Sequence, residues 1–198
     1  GQKRTKHHFP HIIIDFHLVQ AIKAGLVKMV AIDKRKEIAA APLDFKADRV
    51  GNDVVSLSDG QRKMLRIGLH KLKILEDEFT GLDKSKFPKM LVMCEDTKVV
   101  PYVTLFLKQE GIDEENIMEI HSNRKGDVSE KEWSEIKQKL CSIDKRSMPK
   151  IIVSVLMLRE GFDVNNICVI VPLRASTSTI LLEQTIGRGL RLMWREPE

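Results

Sequence analysis

Four short runs from Met90 onward are strand-like and mostly apolar: MLVMC (90–94), IMEIH (117–121), KIIVSVL (150–156) and ICVIVP (167–172). A strand with one solvated face turns polar at every second residue. A strand apolar at both parities needs cover on both faces, which is the habit of parallel sheets. Helix-period segments separate these runs. Residues 97–110 put Val99, Val103, Phe106 and Leu107 on one face; residues 129–140 do the same with Trp133, Ile136 and Leu140. A third segment begins near Thr177, with Ile180 and Leu181 inward. Strand–helix–strand order with parallel strands requires right-handed crossovers and predicts an α/β layer fold. In such sheets ligands meet the loops at the carboxyl ends of the strands.

The first ninety residues are less regular. HIIIDF (11–16) and LVKMVAI (26–32) read as strands flanking a short helix, HLVQAIKAG. Residues 36–60 mix weak signals and read partly as loop. Ser58 or Asp59 then caps a longer helix in which Leu65, Leu69, Leu72, Leu75 and Phe79 recur at three and four, with Gly81 as its stop. The acidic run in LEDEF (75–79) falls inside that helix and reads as its solvated side. This organisation divides the chain into an entry segment, 1–87, and a sheet domain, 88–198.

Composition narrows the function classes. The 198 residues, 42% hydrophobic and 31% charged, suffice for a folded core. A net charge of +5 makes an anionic partner plausible, while one tyrosine and two tryptophans argue against an aromatic platform for single strands. Cys94, Cys141 and Cys168 are far apart, with no C-x-x-C pair; this argues against a zinc ribbon and a disulfide framework and fits a reducing cytoplasm. No run approaches the length of a membrane helix. His7, His8 and His11 read as part of a basic N-terminus rather than a metal site, so no metal is assigned. The first residue is Gly rather than Met, and the sequence reads as an excised segment with a remnant at its start.

The chemistry lies near the end. No G-x-x-x-x-G-K-[ST] occurs, so this sequence has no phosphate-cradling loop of that kind, and no acidic box follows an apolar strand. In SVLMLREGFDVNNICVIVPLR (154–174) a strand runs into a loop holding Gly161 and Asp163, and a second strand follows. Taken alone, that loop is a polar connection in which Gly161 supplies a special backbone angle and Asp163 a turn bond. In LLEQTIGRGLRLMWRE (181–196), Gly187 can end a helix by turning left-handed, releasing Arg188 and Arg191 outward while Gln184 stays on the last turn. A forked, permanently charged guanidinium suits the oxygens of a transferring phosphoryl group. Cations at a helix C-terminus also simply favour the helix dipole.

Together the two stretches resemble motifs V and VI of the superfamily 2 helicases, and more closely the motor of the Type III restriction enzyme Res subunits. That family has a similar REG-aromatic-D-V-x-N loop, then V-P-L-R-A and EQTIGRGLR. MLVMCEDTKVVPYVTLFL (90–107) resembles its motif IV strand and helix, and DFHLVQAIKAGLVK (15–28) its entry into the second motor domain. The resemblance implies a three-layer RecA-like domain that lacks its own P-loop, working on ATP with Mg2+ held by a preceding RecA-like domain. Arg188 and Arg191 would be arginine fingers, with Gln184 positioning them; Gly161, Asp163 and Gly187 would serve the nucleotide. Double-stranded DNA would be the substrate, a DNA methyltransferase the modification partner, and a nuclease segment would lie beyond Glu198. Lys98, Arg124, Lys125 and Ser154 are the candidate nucleic-acid contacts. Many helicases have a threonine six residues before the motif V glycine, where this sequence has Val155, with Ser154 adjacent. The alternative is a non-catalytic nucleic-acid-binding or scaffolding module that retains the helicase fold. A self-sufficient nucleotide-binding α/β enzyme is disfavoured by the missing Gly-rich loop.

Overall fold

The computed structural model describes residues 18–29, 46–120, 143–155 and 164–173, with Ser134, Gln138 and Leu140 as single helical positions. Its elements are α1 (Leu18–Lys23), β1 (Asp48–Val50), β2 (Asp53–Ser56), α2 (Asp59–Leu82), β3 (Lys89–Cys94), α3 (Val100–Gln109), β4 (Ile117–Ile120), β5 (Ile151–Ser154) and β6 (Ile167–Leu173). Strands β3 to β6 form one sheet in the order β4-β5-β3-β6, and every neighbouring pair is parallel.

The apolar character of β3 follows from its place between β5 and β6, where all six of its residues are buried. Met90, Val92 and Cys94 face one side, where α2 and α3 cover them together with Ile151, Val153, Val169 and Val171. Leu91 and Met93 face the other, against Ile120, Leu140, Ile143, Ile152 and Val164. Both faces are thus covered, as a parallel sheet requires. Lys89 is also fully buried, its Nζ donating to the carbonyls of Arg146 and Ser147, the latter at 3.1 Å.

Helix α2 starts with a capping box. The Ser58 hydroxyl accepts from Gln61 N at 3.3 Å, and Ser58 N donates to Gln61 Oε1 at 3.2 Å. Its buried row, Gln61, Leu65, Gly68 and Leu72, follows the three-four spacing and lies on β6 and β3. Each fully buried leucine contributes about 1.5–3 kcal/mol. The helix runs against the strand direction: Gln61 Nε2 reaches Leu173 O at the end of β6, while Glu76 pairs at 2.8 Å with Lys150, just before β5. Asp77 and Glu78 lie on the exposed side of α2, as their position in the helix predicts.

Three local expectations need correction. Gly81 does not stop α2; the helix passes through it and ends at Leu82, with Asp83 extended and its N–H on Phe79 O. A glycine closes a helix only where the chain turns left-handed, and Gly81 does not, whereas Gly111 (φ +87°) does so after α3, with Ile112 N on Leu107 O at 3.1 Å. Leu26–Met29 are not in a strand, and Val30–Ile32 lie outside the described residues. Lys28 instead sends its ammonium to the carbonyls of Asn165 and Ile167, at 2.6 and 2.9 Å, and tethers the start of β6 through a side chain. Burial lowers the pKa of that ammonium, with nearby Cys168 opposing the shift. Finally, β1 and β2 form an antiparallel hairpin inside the stretch read as weak signals and partly loop, with Gly51 and Asn52 as its two-residue turn.

Candidate functional site

The strand ends β4, β5, β3 and β6 line up along one carboxyl edge, and the hairpin β1–β2 is fastened to it. The inner face of the hairpin buries Val54 in the core, and Tyr102 Oη donates to Val54 O at 2.6 Å. Arg49 reaches both carboxylates that follow β3, Glu95 at 2.6 Å and Asp96. Those two hydrogen bonds hold its guanidinium still further above its ordinary pKa. The other Asp96 oxygen accepts from Lys98 N and Val99 N, at 2.8 and 3.2 Å, and so closes the turn that leads into α3. Lys98 Nζ donates to Asn52 O at 2.8 Å and pairs with Asp53 at 3.0 Å.

Charges on this part of the edge therefore meet one another. Arg49 pairs with Glu95 and Asp96, and Lys98 pairs with Asp53. Arg49 takes both Glu95 and Asp96, and no group of three or more potential metal ligands occurs among the described residues. The described residues thus do not fit a magnesium site of their own.

Ser154, a predicted backbone contact, is the last residue of β5, buried and in register with Met93 and Ile120. Val155, where many helicases have threonine, packs into the apolar core on the α2 side. Strands β5 and β6 flank β3, so their ends stand about 10 Å apart, two strand spacings. The chain leaves β5 toward Gly161 and Asp163, and leaves β6 toward Gln184, Gly187, Arg188 and Arg191. All six of those residues lie outside the described residues, as do Arg124 and Lys125 beyond β4.

A family model described as the helicase conserved C-terminal domain matches residues 70–193, more than half of the chain. The chain belongs to the helicase conserved C-terminal domain family. A search of curated proteins finds no match. As a helicase C-terminal domain it is a helicase-type motor domain, a part of the ATP-dependent hydrolases, and its parallel α/β sheet is of the RecA-like kind. The match begins inside α2 and spans β3 to β6. Gly161, Asp163, Gln184, Gly187, Arg188 and Arg191 all fall within it.

Two contributors to the edge of this helicase domain escaped the sequence reading. The hairpin with Arg49 had a signal, the Gly-Asn pair between Val50 and Asp53. Gln61, buried and bonded to the end of β6, had only its place in the capping box. Among the described residues no helix is long and apolar enough to cross a membrane.

Proposed function

We propose that this chain is the second motor domain of an ATP-dependent DNA helicase or translocase of the Type III restriction subunit kind. Residues 88–198 form the motor domain and 1–87 its entry segment. Arg188 and Arg191 present guanidinium groups to the γ-phosphate of ATP, bound with Mg2+ by a preceding RecA-like domain, and Gln184 positions them. Gly161 and Asp163 sense the nucleotide and couple it to double-stranded DNA. Arg124 and Lys125 contact the DNA backbone; Ser154, buried at the end of β5, does so only by becoming exposed, and Lys98 only by exchanging Asp53 for a phosphate. A DNA methyltransferase is the modification partner.

The observation that supports this reading best is the strand order. Because β5 and β6 sit on either side of β3, the segments bearing Gly161–Asp163 and Gln184–Arg191 leave the same edge about 10 Å apart. A guanidinium delivered there to a phosphate held elsewhere acts mainly on the charge of the transition state.

The test uses the protein that carries this chain together with a P-loop motor domain. Arg188→Ala lowers DNA-stimulated ATP turnover by about a thousandfold or more and leaves the circular-dichroism spectrum unchanged. Undiminished turnover removes the finger assignment. DNA binding without any DNA-stimulated ATPase in the parent protein favours the scaffolding module instead.

A further inference from the structure

The exposed side of α2 has a charge pattern that its own stability does not explain. Residues 60–75 contain no acid, and Arg62, Lys63, Arg66, His70 and Lys73 fall on one arc of about 100° opposite the buried row. Asp59 and Asp77 bound the stripe, and Glu76, Asp77 and Glu78 collect toward the end of the helix, whose last turn has no basic residue. Of these cations only Arg62 lies in the first turn, where Asp59 offsets it, so the helix dipole does not account for the stripe. The pattern therefore points outward, to a polyanion.

We infer that this face of α2 is a second docking surface for the phosphate backbone of double-stranded DNA, outside the motor cleft. From Lys63 to Lys73 the stripe spans about 15 Å, the rise of about four phosphates on one strand at about 3.4 Å each. Arg66 is already compensated by Glu110 at 2.8 Å and lies over the Phe106 ring, and Arg62 Nε donates to Leu57 O, so the phosphate contacts fall to the lysines of the stripe. Lys63 and Lys73 are exposed and have no ion pair among the described residues. The helix beneath is rigid, because its buried row is pressed onto β6. Its start is bonded to the end of β6 through Gln61, so the stripe begins near the edge proposed for the motor chemistry. That reading contributes only the choice of duplex DNA as the polyanion.

The experiment measures binding of a labelled 20-base-pair duplex by fluorescence anisotropy, without ATP, from 50 to 200 mM salt, on the full protein. Lys63→Gln with Lys73→Gln weakens binding about tenfold or more at 100 mM salt and lowers the salt slope by about 1.8, while the melting temperature is unchanged or raised. Lys84→Gln with Lys145→Gln, an equal charge change elsewhere on the surface, leaves affinity within about twofold. Affinity and slope unaltered by the first pair overturn the inference and leave an acidic protein surface as the occupant; equal losses from both pairs overturn it as a net-charge effect. Failure of Arg188→Ala to lower ATPase removes the finger assignment alone, since binding here is read without nucleotide.

Discussion

Gly68 gives the sharpest test of how α2 seats on the sheet. A Cβ built there would lie 2.5 Å from Val171 Cγ2 and 2.9 Å from Met90 Sδ. The methionine sulfur sits on a flexible chain and can yield. Val171 is β-branched and fixed in β6, so relief requires α2 to lift off the strand. Overpacking costs about 1–3 kcal/mol, about 2–3 for a 2.5 Å contact with a side chain that cannot swing aside, and the propensity gain of alanine over glycine returns about 1 kcal/mol. Gly68→Ala should therefore lose about 1–2 kcal/mol net, a fall of roughly 2–8 °C in Tm for a chain of this size. Gly81, in the same helix, meets nothing within 4 Å. Gly81→Ala should gain about 0.5 kcal/mol. The opposite signs, read by urea and thermal denaturation of the two variants, separate close approach from backbone freedom. A Gly68→Ala protein as stable as its parent, with Gly81→Ala behaving as stated, would refute the contact of α2 with β6.

Other perturbations follow the same structure. Burial, with lesser contributions from Asp96, Glu119 and Glu95, pushes the Cys94 thiol up to about 12. The native thiol should then resist disulfide reagents at pH 8 until the protein unfolds, and a native rate matching a free thiol would contradict its burial. Because the unfolded thiol ionises first, the unfolded state binds fewer protons between about pH 9 and 12. Stability should fall across that window, and Cys94→Ala should flatten the fall. Ser58→Ala removes the capping box and should cost about 1 kcal/mol, measured by urea denaturation. Arg49→Ala should leave the sheet intact but loosen the hairpin, seen as faster amide exchange at β1 and β2 with protection of β3 unchanged.

The strands were legible because a central parallel strand has no polar side to interrupt it, and MLVMC is the plainest case. The helix 59–82 was legible through its leucine spacing, but its end was not. Glycine rules describe a backbone angle, and no local signal distinguishes Gly81, which stays helical, from Gly111, which does not. The hairpin was missed because its strands span only three and four residues, and its alternation competes with a bulge between Asp48 and Arg49. Lys98 was legible as a cation at the right edge. Its pairing with Asp53 joins residues far apart in the sequence, and nothing local announces it.

That pairing bears on which guanidinium can act on a phosphate. Arg49 stands at the carboxyl edge and is as forked and charged as any arginine in the chain, yet Glu95 and Asp96 already compensate it. Moving it to a phosphate would strip two charge-assisted bonds and leave both carboxylates close together and facing the incoming anion. A finger must instead arrive with its charge unspent, on a segment whose acids lie elsewhere. The stretch from Thr185 to Arg195 holds three arginines and no acid, and it follows β6 in the sequence. The hairpin thus keeps the acids after β3 occupied, so an anion approaching that edge does not meet them bare.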